Sequence, residues 1–524
     1  MKDWKVKKRV KSDLIDQILL NRGIEDRDSF FCSRYEDLAD PFLAKGVKEA
    51  IPIIRKSKNI TVFADYDADG VTSGAIMKSV LPNADIYIPD RKRDGYGLNK
   101  KAVREAARKS DLFITVDSGV TDVEEVKLAK SLGVKVVITD HHQIPEVLPK
   151  ADAIINPHQE GCSYPFKDLC GAGVAFTLAR ALLKDDPNKA KWLLDLVAIG
   201  TIADMVPLVG ENRIITKFGL IVLGKTKRVG LESILPEEIN SEAVAFRVAP
   251  MLNAAGRMGH ANTSYELLIT DSEEESSRIA KELDKTNQRR RSETERVMSE
   301  ILEDVELDEK LIFASNDSWP VGVIGLAAGR LMDRYHRPVV VLSGGIASCR
   351  SIEGFNIVKA LTKFSGLLTE FGGHPRAAGF RVAEGNVSEL KKGLLSYASE
   401  TLNEEDMVAV IDIDAEISVD EVSWELVEEL AKMEPFGFGN ARPVFLLKNV
   451  VAENIQFVGN GSQHLKFIVK SGDQILKGIF FNAGGLGAHL KDGDKLDLVT
   501  SLESDEWNGF KSLQLKVVDL RKSE

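Results

Sequence analysis

Three short acidic clusters, each placed directly after an apolar run, constrain the fold of this chain more than any other feature. The runs are rich in β-branched residues and cover residues 60–64, 112–116 and 134–139. Runs of this length and makeup are typical of buried strands. The segments between them, residues 71–80 and 120–131, have the pattern of helices. This alternation predicts an α/β fold with a parallel sheet, whose carboxyl edge carries all three clusters.

The clusters bring many carboxylates to that edge. They are Asp65-Tyr66-Asp67-Ala68-Asp69-Gly70, Asp117-Ser118-Gly119 and Asp140-His141-His142. Like charges at one place repel each other unless cations lie among them, so the sequence predicts a metal site. Carboxylates with imidazole and no thiolate favour Mn²⁺ or Mg²⁺. So many carboxylates predict two ions, about 3.5–4 Å apart and bridged by one Asp, an arrangement suited to phosphodiester hydrolysis.

The ordered set of these motifs resembles the DHH phosphoesterase superfamily, and five further motifs resemble the RecJ single-strand exonucleases within it. The further motifs cover residues 200–207 (GTIADMVP), 250–257 (PMLNAAGR), 348–351 (SCRS), 371–374 (FGGH) and 434–440 (EPFGFGN). A DHH tripeptide alone is a weak signal, whereas the ordered set is specific. The resemblance implies a 5′→3′ exonuclease that acts on single-stranded DNA in recombination and repair.

The resemblance also implies roles for individual residues. The implied metal ligands, with Asp117 as the bridge, are Asp65, Asp67, Asp69, Asp117, His141 and Asp204. Asp140 and His142 join Asp117 and His141 as catalytic residues, either bracing the site or contacting substrate. The implied substrate-binding residues are Arg91, Tyr96, Arg257, Arg350, Ser351, Gly372, Gly373 and His374. Arg350 and His374, in glycine-containing loops, would surround one phosphate with charged and backbone donors.

On the residues alone, several of these positions have a simpler explanation. The stretch of residues 91–96 also suits a solvated loop with a buried Tyr, and residues 371–374 suit a glycine-rich turn with a structural His. Asp204 would be a helix N-cap. The basic run of residues 285–296 is either a solvated helix face or the wall of a DNA groove.

The remaining pattern predicts five parts in order. An apolar stripe at helical spacing indicates an N-terminal helical extension over residues 1–45, before the parallel-sheet DHH domain of residues 46–270. A long helix over residues 271–308 connects it to a smaller α/β DHH-associated domain over residues 309–404. Short strands separated by turn signals then predict an OB-like β-barrel over residues 405–524, a common platform for single strands.

Composition narrows the functional classes. Neither a run of about 18 apolar residues nor the apolar core of a signal peptide is present, so no membrane association is expected. Four scattered cysteines without a Cys-x-x-Cys motif indicate a reducing, cytoplasmic location. The net charge of −11 argues mildly against a nucleic-acid-binding protein, because such proteins are usually basic. A local basic groove can still bind phosphates, because many of the acids belong to the metal site.

We predict a monomer that binds single-stranded DNA, with single-strand-binding protein and a helicase as partners. Two alternatives stay open. One is a DHH phosphodiesterase of short oligonucleotides or cyclic dinucleotides, a class that usually lacks the long helix and the C-terminal β domain. The other is a non-catalytic replication scaffold with a degenerate DHH domain, whereas this chain retains every implied metal ligand.

Overall fold

The computed structural model describes residues 2–90, 97–305, 308–459, 463–471, 474–483, 489–507 and 509–523. The chain divides into two units: residues 38–409 form one, and residues 1–37 together with residues 410–524 form the other. Within the described ranges, no helix combines the length and the apolar composition needed to span a membrane.

The strands are numbered along the chain. They are β1 (Asp3–Val6), β2 (Ile60–Ala64), β3 (Asp85–Tyr87), β4 (Leu112–Val116), β5 (Lys135–Thr139), β6 (Ala153–Ile155), β7 (Ile312–Ser315), β8 (Val339–Ser343), β9 (Ile346–Arg350), β10 (Leu368–His374), β11 (Ala377–Val382), β12 (Val410–Ile413), β13 (Ala415–Glu416), β14 (Phe445–Val458), β15 (His464–Ser471), β16 (Gln474–Phe480), β17 (Lys495–Trp507) and β18 (Phe510–Lys522).

The α-helices are numbered in the same way. They are α1 (Leu14–Asn21), α2 (Arg27–Phe31), α3 (Val47–Lys56), α4 (Ala68–Val80), α5 (Lys100–Ala106), α6 (Val123–Ser131), α7 (Gly171–Leu182), α8 (Pro187–Trp192), α9 (Leu194–Ala203), α10 (Gly210–Leu223), α11 (Val229–Glu232), α12 (Ser241–Ala243), α13 (Ala249–Met258), α14 (Asn262–Ile269), α15 (Glu273–Asp304), α16 (Val321–Tyr335), α17 (Ile357–Lys363), α18 (Val387–Thr401) and α19 (Trp424–Ala431). A π-helical segment, Val244–Val248, joins α12 to α13.

A parallel sheet with the order β3-β2-β4-β5-β6 organises the first part of the larger unit. Its central strand, β4, is buried at every position, as expected for a sheet covered on both faces. The strands pair in register, with Ala64 opposite Val116 and Val116 opposite Thr139. All three acidic clusters therefore begin at the same level of the carboxyl edge, and the predicted parallel-sheet fold is confirmed.

The long helix α15 leads from this sheet to a second one. Ser272 caps it by accepting a hydrogen bond from the backbone N–H of Glu275, and its last turns bury Val297 and Ile301 against α16. The second sheet has the order β10-β11-β9-β8-β7, in which β7 and β8 are parallel and the other pairs antiparallel. This is the smaller α/β domain expected after the long helix.

The other unit contains the expected barrel. Its sheet runs β13-β14-β15-β16-β18-β17, and a further pairing of β14 with β17 closes the ring. Leu465, Leu476, Leu496 and Leu515 are fully buried inside it. Closure leaves the five ring strands without a free edge, which is how an OB-like barrel protects its backbone from pairing with other chains.

The N-terminal residues differ from the predicted helical extension. Residues 3–6 form a strand that pairs in parallel with β12, and α1 buries Ile15 and Ile18 in the same core as the barrel. The indole N–H of Trp4 donates to Asp519 Oδ2 at 2.9 Å. The apolar stripe of α1 predicts a buried face, but local periodicity does not reveal a partner some four hundred residues later in the chain.

Candidate metal centre

Three strand ends place the first carboxylates of the site. Asp65 follows β2, Asp117 follows β4 and Asp140 follows β5, and all three side chains are at most 4% exposed. The backbone N–H of Asp117 extends the sheet by donating to Thr139 O at 3.0 Å. Asp117 has a φ of 61°, a left-handed conformation that short polar residues adopt more readily than most others. The chain thus turns sharply where the central carboxylate projects.

The start of α4 supplies two further carboxylates. Asp67 caps the helix and accepts hydrogen bonds from the backbone N–H groups of Asp69 and Gly70, each at 3.0 Å. Asp69 lies in the first turn and accepts from Gly171 N at 2.6 Å and from Ala172 N at 2.9 Å. Those two groups form the N-terminus of α7, where a helix favours negative charge. Asp67 is therefore held as the N-cap of α4, and Asp69 is held by the N-terminus of α7.

His141 and Asp204 complete the cluster. His141 Nε2 lies 3.2 Å from Asp117 Oδ1 and 3.7 Å from Asp204 Oδ2. Burial, followed by repulsion from His142, lowers the pKa of His141 to about 4 and so favours the neutral imidazole, although the ring also hydrogen-bonds the backbone of Leu169. A ring nitrogen held by a carbonyl fixes the tautomer and leaves the other nitrogen as a lone-pair donor. Asp204 ends α9, so the apolar GTIADMVP motif delivers its carboxylate to the site rather than capping a following helix.

These side chains form three overlapping groups in which the potential ligand atoms lie within 4.8 Å of one another. The groups are Asp65 with Asp67 and Asp117, Asp69 with His141 and Asp204, and Asp117 with His141 and His142. Asp117 and His141 each belong to two groups. Shared ligands of this kind are what two neighbouring cations require.

The electrostatics of the carboxylate cluster also favour the binding of cations. Burial, followed by repulsion from Asp69, Asp67, Asp65 and Asp204, raises the pKa of Asp117 well above its usual range. Burial and the charges of Asp69 and Asp67 raise the pKa of Asp204 to about 9, and burial and Asp67 raise that of Asp69 to about 6. Divalent cations would remove this repulsion. The donors are carboxylate oxygens and imidazole, a set that suits Mn²⁺ or Mg²⁺.

The carboxylate of Asp140 accepts hydrogen bonds from neighbouring groups of the protein. Its Oδ1 accepts from His141 N at 2.7 Å, from His142 N at 3.1 Å and from His142 Nδ1 at 2.7 Å, while Oδ2 accepts from Val120 N at 3.0 Å. Burial alone would raise the pKa of Asp140, but the contacts with His142 outweigh it and lower the pKa. The same pairing raises the pKa of His142 against the effect of burial. This geometry supports a bracing role for Asp140.

Comparisons with known proteins agree with this site. Three family models match: the DHH family N-terminal domain over residues 59–201, the DHHA1 domain over residues 308–401 and the RecJ OB domain over residues 413–519. The single-stranded-DNA-specific exonuclease RecJ of Bacillus subtilis is 39% identical over 538 residues, which cover 98% of this chain and 68% of that protein. The chain belongs to the RecJ family. The resemblance seen in the sequence motifs is thereby confirmed.

Two solved structures of RecJ from Thermus thermophilus support the assignment. The structure in complex with Mn²⁺ has a TM-score of 0.87 and 29% sequence identity, and the match covers 100% of this chain and 80% of the Thermus chain. The structure in complex with Mg²⁺ has a TM-score of 0.79 and 28% identity, and the match covers 100% and 79% of the two chains. The RecJ architecture therefore extends over this whole chain.

Three residues of the centre had no role in the sequence-based predictions: two glycines that allow close approach and one asparagine that holds the start of a helix. A Cβ atom on Gly171 would lie 2.4 Å from Asp117 Oδ1, and one on Gly200 would lie 2.6 Å from Asp69 Oδ1. Asn253 Oδ1 accepts from Ala68 N at 2.8 Å and so holds the start of α4. Two local signals for close approach were available: a glycine at the start of a buried helix, Gly171, and the glycine that opens the GTIADMVP motif, Gly200.

The second sheet brings Arg350 and His374 into one row. Ala377 of β11 pairs with Arg350 on one side and with His374 on the other. Directly opposed residues of antiparallel strands share a face, so both side chains lie on the same face of the sheet. Each residue ends a strand, which corrects the expectation that they lie in loops. Gly372 and Gly373 are likewise part of edge strand β10, and both are exposed with His374.

The two serines of the SCRS motif have different surroundings. Ser351 is 1% exposed, and its hydroxyl donates to Phe355 O at 2.6 Å, an internal contact. Ser348 lies two residues before Arg350 on the same face, and its Oγ accepts from Arg350 Nη1 at 3.4 Å. Ser348, which the sequence analysis did not select, is therefore better placed than Ser351 to meet a ligand on that face.

The other substrate-binding predictions have less structural context. Arg257 lies in the last turn of α13 and is partly exposed, and its backbone packs closely on Gly322 at the start of α16. Arg91 and Tyr96 lie outside the residues that the structure describes.

Proposed function

We propose that this chain hydrolyses phosphodiester bonds of single-stranded DNA in the 5′→3′ direction with the help of two divalent cations, Mn²⁺ or Mg²⁺. The observation that carries the proposal is the convergence of five carboxylates and one imidazole at the carboxyl edge of the parallel sheet. Membership of the RecJ family and the Thermus structures with Mn²⁺ and with Mg²⁺ support it.

In this proposal the ligands divide between the two ions. Asp65, Asp67 and Asp117 hold one ion, and Asp69, His141 and Asp204 hold the other, with Asp117 as the shared ligand because His141 Nε2 lies 3.2 Å from it. When bound, the ions neutralise charge on phosphoryl oxygens and lower the pKa of water at the site. The buried carboxylates pre-arrange the donors, so little reorganisation is needed during the reaction.

Side chains of the protein then orient the substrate and supply hydrogen-bond donors to it. Asp140 holds His142 through Nδ1, which leaves Nε2 to face a substrate. Because this pairing raises the pKa of His142 against the effect of burial, it favours the protonated imidazole, which can donate a hydrogen bond to a phosphate oxygen. Asp140 itself keeps its negative charge, because four hydrogen bonds stabilise the carboxylate form.

A phosphate of the same strand is read from the second sheet. Arg350 supplies a charged donor and His374 an imidazole donor, while the exposed glycines of β10 allow the backbone to approach closely. We include Arg91, Tyr96 and Arg257 as further contacts, on the basis of the family motifs. Positioning from a second sheet would hold the strand end at a fixed distance from the metal centre.

The wider context follows the family. We propose a role in recombination and repair, with single-strand-binding protein and a helicase as partners of a monomeric enzyme. A cytoplasmic location is supported by the four cysteines, which are all free. The matches of the DHH, DHHA1 and RecJ OB models support functional domains at residues 46–270, 309–404 and 405–524, connected by the helix of residues 271–308.

A degradation assay tests the proposal. Single strands, duplexes, dinucleotides and cyclic dinucleotides are incubated with the full chain in Mn²⁺, in Mg²⁺ and in chelator, with the label at either end of the strand. We expect metal-dependent loss of single strands from the 5′ end and little action on duplexes. Faster turnover of dinucleotides than of long strands would indicate the oligonucleotide phosphodiesterase instead. Absence of hydrolysis with intact strand binding would indicate the scaffold.

A further inference from the structure

Two helices that supply metal ligands, α4 and α9, are also joined at the ends that lie away from the metal centre. Near the centre they almost touch, since a Cβ atom on Gly200 would lie 2.6 Å from Asp69 Oδ1. At the far ends the Arg228 side chain hydrogen-bonds Ser79 of α4 and Asp195 of α9. These two contacts lie nine or ten residues from the ligands of their helices, or about 14–15 Å along each helix.

Arg228 uses all three nitrogens of its guanidinium group. Nε donates to Asp195 Oδ2 at 3.2 Å, Nη2 to Ser79 Oγ at 3.1 Å, and Nη1 to the carbonyl oxygen of Leu268 in α14 at 3.4 Å. The hydroxyl of Ser79 in turn donates to Ala75 O at 2.8 Å. A planar guanidinium holds several partners in one fixed geometry, which the point charge of a lysine cannot do.

The carboxylate of Asp195 is fully engaged inside the protein. Its side chain is 2% exposed. Oδ1 accepts from Leu196 N and Oδ2 accepts from the hydroxyl of Thr226, each at 2.8 Å. Burial raises the pKa of Asp195, whereas the charge of Arg228 opposes this effect. Because apolar packing often stabilises a protein as well as a buried ion pair does, the specific contribution of this pair is its directional contacts.

The rest of α9 offers few directional contacts. Residues 196–203 are apolar except for Thr201, whose hydroxyl donates to Val197 O within the same helix and lies 3.6 Å from Cys170 Sγ. Burial of apolar surface is favourable but non-directional, so it fixes the position of a helix along its axis less sharply than hydrogen bonds do. The Asp195 end is therefore where the axial position of α9 is set.

We propose that Arg228 is a positioning residue of the metal centre. By bonding Ser79 and Asp195 together it sets where α9 lies along α4, and so places Asp204 at the cation that it shares with Asp69. The inference rests on the proposed function and extends it from the ligands to the contacts that position them. A displacement of α9 at the Asp195 end would reach Asp204, because a helix in a closely packed interior moves as a unit.

The proposal predicts a selective effect on the two cations. Asp204 is the ligand that follows α9, and the group of Asp65, Asp67 and Asp117 includes no residue of that helix. Loss of the Arg228 contacts should therefore weaken the cation site that contains Asp204 and leave the other site nearly unchanged. General loosening of the domain would weaken both sites alike.

The experiment is a calorimetric titration of Mn²⁺ into the full chain freed of metal, at a temperature at which circular dichroism shows each variant to be folded. Arg228→Lys keeps the charge opposite Asp195 but not the three-way geometry, and Ser79→Ala removes only the bond to α4. Tyr164→Phe is the matched control. It removes a buried hydrogen bond of 2.7 Å to Glu211 of α10, a helix that supplies none of the proposed ligands.

We expect Arg228→Lys to weaken binding of one Mn²⁺ ion by roughly 10-fold or more and to leave the other unchanged. Ser79→Ala should weaken binding of the same ion by roughly 2- to 10-fold. The double variant should be no weaker than Arg228→Lys, because both substitutions break the same bond. Excess Mn²⁺ should restore strand degradation by Arg228→Lys. Tyr164→Phe should lower the denaturation midpoint and leave both metal affinities unchanged.

Two results would overturn the inference while leaving the proposed function intact. One is wild-type affinity for both ions in Ser79→Ala and Arg228→Lys, which would make these contacts structural only. The other is equal weakening of both ions, or the same weakening in Tyr164→Phe. If Arg228→Lys does not fold, the milder Ser79→Ala decides between these outcomes. A wild type that binds no Mn²⁺ or cuts no strand would instead contradict the proposed function itself.

Discussion

The two sheets of the larger unit present opposite kinds of chemistry. At the edge of the parallel sheet, Asp65, Asp69 and Asp117 are at most 4% exposed and repel one another. On the mixed sheet, His374 is exposed, and Arg350 shares its row and face. The first region holds anions close together at a cost in repulsion, which suits cations. The second region places a guanidinium and an imidazole in one row across three strands, which suits a phosphate.

The difference shows how each region is specified by its backbone. The carboxylates need a parallel sheet in register, a left-handed Asp117 and helix N-termini that approach closely, so the site tolerates little extra volume. The row of Arg350 and His374, which we propose binds a phosphate, needs only the antiparallel pairing of three strands with a small residue, Ala377, between the two side chains. Substitutions should therefore damage the first region through geometry and the second mainly through charge.

The largest effect is expected at the shared ligand. Asp117→Ala should lower hydrolysis by at least about 10²-fold, because a shared ligand positions the groups that stabilise the transition state. Strand affinity in chelator should change little. The check is the rate of single-strand degradation at saturating Mn²⁺, together with anisotropy for binding. Activity above about one per cent of wild type would show that Asp117 is not the bridge.

A glycine next to the same carboxylate should be nearly as sensitive. A methyl group on Gly171 would lie 2.4 Å from Asp117 Oδ1, so Gly171→Ala should displace this carboxylate and lower turnover by up to about 10²-fold. Gly329→Ala is the matched control, because nothing lies within 4 Å of its added Cβ and it too is helical. The control should keep full activity and gain about 0.5–1 kcal/mol in the free energy of unfolding. Equal activity of the two variants would contradict the crowded-site explanation.

The row of Arg350 and His374 should respond to charge. Arg350→Ala should reduce use of 5′-phosphorylated strands by roughly 10-fold or more relative to 5′-hydroxyl strands, since a charge-assisted hydrogen bond contributes about 1.5–3 kcal/mol. His374→Ala should lower turnover on the phosphorylated strand without the same loss of general binding. Initial rates on the two matched substrates provide the measurement. Identical ratios in the variants and the wild type would make these residues structural.

The smallest effect separates the two serines of one motif. Ser351→Ala should lower the free energy of unfolding by about 1–3 kcal/mol, because Phe355 O loses its buried donor, and should leave the phosphate preference unchanged. Ser348→Ala should change the preference for 5′-phosphorylated strands and leave the free energy of unfolding nearly unchanged. Chemical denaturation and the end-preference assay on both variants make the comparison. A changed preference in Ser351→Ala alone would restore Ser351 as the ligand contact.

Much of the parallel sheet could be predicted because its signals are local. The apolar runs after which Asp65 and Asp117 appear coincide with β2 and β4, and the order of strands and helices fixes the edge at which they meet. The roles of Asp204 and Arg350 came from the family resemblance, since neither has a local signature. Gly171 and Ser348 could not be found this way, because their importance depends on which atoms other segments bring near them.

The N-terminal residues show the same limit on a larger scale. The stripe of α1 correctly indicates a buried helix face, yet its partner is the core that includes β14 and β17. Pairing of β1 with β12 joins segments some four hundred residues apart, and the mostly exposed residues Asp3–Val6 carry no pattern that indicates a partner. Pairing of strands that are far apart in the sequence is thus the part of the fold that the sequence alone does not predict.

Calorimetric titration of Mn²⁺ into three proteins tests the central claim, that cations belong to the parallel-sheet edge and phosphate to the second sheet. The proteins are the wild type, Asp117→Ala and His374→Ala, each first freed of metal. The account predicts binding of two ions to the wild type and to His374→Ala with similar affinity, and loss of at least one ion from Asp117→Ala. Metal binding that is unchanged in Asp117→Ala, or that is lost in His374→Ala, would contradict it.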